Sequence, residues 1–235
     1  NSLRKKQYKP IYFLQGDESF FIDWIVQYIE NNVLEEAEKS FNQIILYGKD
    51  TDMHTIVNSA GRYPMMSEYQ VVIVKEAQHL SRDIKKLLSY ALAPVPSTIL
   101  VFSYKYKTMT SNTKLAKAIA KNGVFFTSKK IYEQNVPSWI NRYVRSKKYS
   151  IEDSAALLLT EYLGNDLGKI ANELDKLMLN IDNNLPINKH HIADNIGVSK
   201  EYNVFELQKV LAHKNKDKAY QITEYFAKNP KAAPL

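Results

Sequence analysis

The sequence contains no cysteine. Disulfides and cysteine-ligated zinc or iron–sulfur centres are therefore excluded, and an intracellular setting is expected. Histidine is scarce as well. Of the five, His190 and His191 are adjacent and would point about 100° apart on a helix rather than converge as an i, i+4 pair does. Neither a metal site nor a cofactor is expected. No apolar run approaches the roughly 20 residues needed to cross a bilayer. The basic start from Arg4 to Lys9 is followed by only four apolar residues before Gln15. The expectation is a cytoplasmic protein without membrane contact. Internal repeats and low-complexity tracts are also missing.

What is present is an ordinary globular mixture. At 235 residues with 45% hydrophobic side chains, the chain can bury a substantial core. Its charge of +7 is unevenly placed. Residues 11 to 80 carry eleven acidic against four basic side chains, whereas residues 105 to 148 carry eleven basic side chains and the single acid Glu133. An acidic front and a basic middle imply two different partner surfaces, the second attractive to phosphate. Lys114, Lys117 and Lys121, at helical spacing, read equally well as one solvated helix face.

Short apolar strand candidates recur at Ile11–Leu14, Gln43–Tyr47, Val71–Val74, Thr98–Phe102 and Val124–Phe126, with amphipathic stretches between them. That alternation predicts an α/β domain with a mostly parallel, helix-covered sheet over residues 1–130. The first helix is expected to begin near Asp17 and Glu18, whose charge suits a helix N-terminus, and to bury Phe21, Trp24, Ile25 and Tyr28. After about residue 130 the strand signals stop. Segments 134–148, 150–163, 166–181 and 188–195 read as helices, with Leu163-Gly164-Asn165-Asp166 ending one and starting the next. A small helical domain is expected over residues 131–198. A further helical piece opens at Tyr202-Asn203, so close to the end that residues 199–235 read as the start of a truncated domain.

The stretch "IYFLQGDESFF" has the strand, glycine turn and helix start of a phosphate-binding loop. A working loop of this type needs G-x-x-x-x-G-K-[ST], whose lysine and hydroxyl hold the phosphates and magnesium. Here Gly16 remains, and Asp17 and Glu18 follow it where attraction for phosphate is required. The strand that should end in metal-holding acids ends instead in Lys75-Glu76. Both halves of the chemistry are missing while the frame persists. No nucleophile–base–acid set or carboxylate pair stands in their place, so no intrinsic enzymatic activity is expected.

A glycine-acid turn after the first strand, "VVIVKEA", "TILVFSYK" followed by lysines, "LGNDLGKIANELDKL" and "YNVFELQKVL" occur in an order that resembles the delta-subunit family of bacterial DNA polymerase III. The likeness runs from about Pro10 to the end. It implies an AAA+-like five-stranded parallel sheet without a working nucleotide site, then a small helical lid and the start of a helical collar. By that resemblance the chain is a non-catalytic subunit of the clamp loader, one that binds and opens the sliding clamp. Other loader subunits would associate through the collar, most of which lies beyond this sequence.

The family contacts the clamp through an exposed hydrophobic pair just before the third strand. In this sequence that place is "GRYPMMSEYQ", and the pair is Met65 and Met66, flanked by Tyr63 and Pro64. Many members carry a leucine and an aromatic there, so two methionines are a departure. From the residues alone, Pro64 breaks the preceding helical pattern and puts the methionines at a turn. They could either meet a partner or fold back on the sheet edge. The resemblance also implies that Lys105, Lys107 and Lys114 face primer-template DNA within the assembled loader. The competing functional readings are an ATP-dependent motor with an unusual site and an ATP-independent DNA-binding protein using the basic middle.

Overall fold

The first strand, β1 (Ile11–Gly16), is buried along its whole length. That is the signature of a central parallel strand, covered on both faces and therefore apolar at successive positions. In the computed structural model, which describes residues 2–196 and 204–228, β1 is followed by α1 (Ser19–Asn32), α2 (Glu36–Asn42), β2 (Gln43–Tyr47), α3 (Met53–Ala60), β3 (Gln70–Lys75), α4 (Leu88–Leu92), β4 (Thr98–Lys105), α5 (Lys114–Asn122) and β5 (Val124–Ser128). The strands form one parallel sheet in the order β2-β3-β4-β1-β5, an AAA+-like architecture. Every strand expected from the sequence is present, most extended by a few residues.

The pleat divides the core in two. Tyr12, Leu14, Val71, Ile73, Ile99 and Val101 face α1. Ile11, Phe13, Val72, Val74, Leu100 and Phe102 face α3, α4 and α5 through Ile56, Ala60, Tyr90, Leu115 and Ile119. Helix α1 corrects one expectation. Its buried stripe is Ile22, Val26 and Ile29 rather than Phe21, Trp24, Ile25 and Tyr28. Trp24 is 45% exposed and stacks on Tyr28 at 5.8 Å. Both stripes have helical spacing, and the narrower aliphatic side chains pack between the Val and Ile side chains of the sheet.

The chain divides into two compact units, residues 1–130 and 131–235. The second begins with α6 (Val136–Ser146), α7 (Asp153–Leu163), α8 (Leu167–Met178) and α9 (Lys189–Ile196). Gly164 ends α7 with φ 65°, and the Asp166 carboxylate accepts the Lys169 N–H to start α8. Helices α6 and α8 are joined by the Tyr143 hydroxyl, which donates to Asp175 at 2.9 Å. Burial and this carboxylate hold the phenol well above the usual tyrosine range. Helices α10 (Val204–Ala212) and α11 (Lys216–Lys228) bury Val210, Ala219, Ile222 and Phe226 together. The expected boundary at residues 198 and 199, the Tyr202-Asn203 motif start and the segment 229–235 lie outside the described residues.

Gly16 is the tightest point of the sheet. Its φ is +121°, and a Cβ there would lie 1.9 Å from the Ser128 carbonyl oxygen. Gly16→Ala should therefore destabilise the chain by about 3 kcal/mol or more, from backbone strain and steric overlap together. Urea denaturation of the purified variant measures this.

Candidate functional site

The turn that resembled a phosphate loop is occupied by the protein itself. The Asp17 N–H donates to the Ser128 carbonyl at 3.1 Å, and the Gly16 carbonyl accepts from the Tyr106 N–H at 3.0 Å. The buried Glu18 carboxylate accepts the Phe20 N–H at 3.2 Å. An anion-binding helix N-terminus offers free N–H groups and positive potential to a phosphate. At α1 a carboxylate of the same chain already takes that position. At the ends of the neighbouring strands, Lys75 pairs with Glu30 at 3.0 Å and Lys105 pairs with Asp23, both acids belonging to α1. Lys49 pairs with Glu76 at 3.2 Å. Where a nucleotide fold would hold metal and phosphate charge, these cations and carboxylates neutralise one another.

The loop from Gly61 to Tyr69, between α3 and β3, has the opposite character. Its roots are rigid. The buried Gln70 amide nitrogen reaches the carbonyls of Ser59 at 3.1 Å and Ala60 at 3.3 Å, the Arg62 carbonyl and the Thr98 hydroxyl at 2.8 Å. Thr98 donates in turn to Ala60 at 2.8 Å, and the Tyr90 hydroxyl donates to the same carbonyl at 3.2 Å. Burial pushes the Tyr90 phenol pKa up, which keeps it a donor. At the far root Tyr69 packs edge-on against Tyr8. The neighbouring Glu68 carboxylate raises the Tyr69 phenol pKa.

The tip carries the four residues singled out from the sequence. Tyr63 is exposed and Pro64 is half-buried. Met65 is 63% exposed and Met66 is fully exposed. Met66 also has φ 53°, a left-handed backbone that an unbranched side chain adopts at a cost of about 1 kcal/mol. Neither methionine folds back on the sheet edge. Asn42, 3% exposed at the end of α2, grips the tip through two hydrogen bonds. The Met65 N–H donates to its Oδ1 at 2.7 Å, and its Nδ2 donates to the Met65 carbonyl at 2.9 Å. Neither Asn42 nor Gln70 is marked by the sequence, since what makes each important is a partner 8 to 28 residues away.

The lysines are not gathered in this way. Lys105 is paired with Asp23 on the α1 side of the sheet. Lys107 donates to the Gln78 carbonyl and the Ser81 hydroxyl, both at 3.3 Å, beside the turn that covers the other face. Lys114 is exposed in the first turn of α5, and Lys117 and Lys121 are exposed along the same helix. Among the described residues no cluster of metal-ligating side chains occurs, and no helix is long and apolar enough to cross a membrane.

The family model for the DNA polymerase III delta subunit matches residues 12–129. The chain belongs to that family. DNA polymerase III subunit delta of Bacillus subtilis (strain 168) is 25% identical over 230 residues, which cover 94% of this chain. The delta-family chain spans 66% of that relative's length. A solved structure of a Bacillus subtilis DNA clamp loader delta protein (YqeN) superposes with a TM-score of 0.74 at 22% identity, covering 97% of this chain and 70% of its own. At that identity the likeness concerns the fold, and it extends through both units of the delta-family chain.

The grip of Asn42 on Met65 predicts a measurable effect. Asn42→Ala leaves a backbone N–H and a carbonyl without their partner. It should cost about 1–3 kcal/mol of stability and speed hydrogen exchange at the Met65 amide. Denaturant titration and exchange monitored by NMR check the two outcomes.

Proposed function

We propose that this chain is a non-catalytic clamp-loader subunit that binds the sliding clamp through the Met65–Met66 tip and helps open it during DNA replication. The observation that carries the reading is the tip itself, two adjacent methionines held out in solvent on a loop whose roots and backbone are fixed. Soluble proteins seldom hold adjacent large apolar side chains fully in water without a partner. Methionine, flexible and polarizable, conforms to a partner's apolar recess. Fixed roots let the tip enter such a recess without ordering a floppy segment first. Tyr63 and Pro64 would border the contact. Other loader subunits would associate through the collar region, and primer-template DNA would be met within the assembly.

The internal carboxylate at the start of α1 and the ion pairs of Lys75 and Lys105 support a role without ATP hydrolysis. For DNA, the exposed Lys114 is the better candidate of the three lysines, because Lys105 and Lys107 already have partners within the chain. Such contacts would neutralise phosphates without reading bases. That distribution gives a stand-alone DNA-binding role little support.

Met65→Ala combined with Met66→Ala should abolish measurable binding to the cognate sliding clamp, at on the order of 2 kcal/mol for each side chain. The unfolding midpoint should stay unchanged, since both side chains are exposed. Unaltered clamp affinity in surface plasmon resonance would remove the assignment. Isothermal titration with magnesium-ATP should give no heat of binding, and micromolar affinity would reverse the reading of Gly16, Asp17 and Glu18.

A further inference from the structure

The methionine tip has a neighbour from another part of the chain. Asn42 holds the Met65 backbone by two hydrogen bonds, and the residue immediately before it, Phe41, leaves its ring 70% exposed. Phe41 carries no polar atom, and its ring takes no part in either core cluster of the sheet unit. Asn42 itself is buried beneath this region with both ends of its amide satisfied, so it separates the two exposed groups without adding an unpaired polar atom to the surface. The ring of Phe41 and the side chains of Met65 and Met66 are thus presented from two adjacent backbones tied to each other. Interface anchors are typically large apolar or aromatic side chains that cluster and are desolvated together.

We propose that Phe41 is a second apolar anchor of the clamp-contacting surface, so that the clamp receives a ring from the end of α2 as well as the methionine pair. This rests on the reading of Met65 and Met66 as the clamp contact. Its place next to Asn42, the residue that holds the Met65 backbone, is the reason to assign Phe41 to the same partner. An occupant that accepts only the two methionines would leave the adjacent ring in water. The proposal requires an apolar recess on the clamp broad enough for all three side chains.

The test compares Phe41→Ala, the double variant Met65→Ala with Met66→Ala, and Leu92→Ala, an exposed apolar control at the end of α4. Each is titrated against the cognate sliding clamp by surface plasmon resonance. Phe41→Ala should weaken binding about 10-fold or more, mainly through faster dissociation, while Leu92→Ala leaves it unchanged. Phe41→Leu should recover most of the affinity. If the double variant loses binding and Phe41→Ala does not, the proposal is overturned and the methionine reading stands. If neither weakens binding, the methionine reading itself fails. A loss in Phe41→Ala accompanied by faster hydrogen exchange at the Met65 amide would trace the effect to the tip's backbone and overturn the anchor. So would sedimentation data in which Phe41→Ala abolishes self-association of the chain while clamp affinity is unaltered.

Discussion

A parallel sheet with helices on both faces has to bury every residue of its central strands, and this constraint organises the first unit. The runs of Val, Ile, Leu and Phe in β1, β3 and β4 satisfy it, with alternate side chains divided between α1 on one side and α3, α4 and α5 on the other. The connections are then forced to the two ends of the sheet, where polar backbone and charge must be dealt with. One such end holds the turn at Gly16, the Lys75–Glu30 and Lys105–Asp23 pairs and the capped start of α1. The entry of β3, at Gln70, anchors the loop that carries the methionines.

These two regions have opposite chemical characters. Around Gly16 the Asp17 N–H, the Glu18 carboxylate and the Lys105 ammonium are turned inward, to the Ser128 carbonyl, the Phe20 amide and Asp23 of α1. Such self-complementation ties the turn, α1 and the strand ends to one another. At the methionine tip the polar groups are also satisfied, by Asn42 and Gln70, but there they lie beneath the surface and the apolar side chains stand above it. Internal satisfaction in the first case pairs the polar groups of the turn, whereas in the second it holds a loop whose apolar side chains stay in solvent.

The strands were legible in the sequence because two-sided burial writes itself as uninterrupted apolar runs. The departure from a phosphate-loop pattern was equally legible, since Asp17, Glu18 and Lys75 stand where that pattern has other residue types. Met65 and Met66 could be placed at a turn because Pro64 ends the helical pattern before them. Whether they would lie on the sheet or in solvent could not be read, because that depends on the Asn42 grip from a segment 23 residues away. The choice of buried face on α1 has a similar origin. Two overlapping stripes share one periodicity, and the shape of the sheet beneath decides between them, leaving Trp24 outside. Lys105 and Lys107 looked like a shared basic patch in sequence, but their partners Asp23 and Ser81 draw them to opposite sides of the sheet.

The left-handed backbone of Met66 has a thermodynamic consequence of its own. A methionine held in that region is already committed to a narrow set of orientations before any partner arrives. The loss of backbone freedom is borne when the chain folds, through the Asn42 and Gln70 hydrogen bonds, and not again when a complex forms. What remains adjustable are the torsions of the two thioether side chains. The tip therefore combines a stiff mount with a compliant surface, whose shape can change by rotamer changes alone.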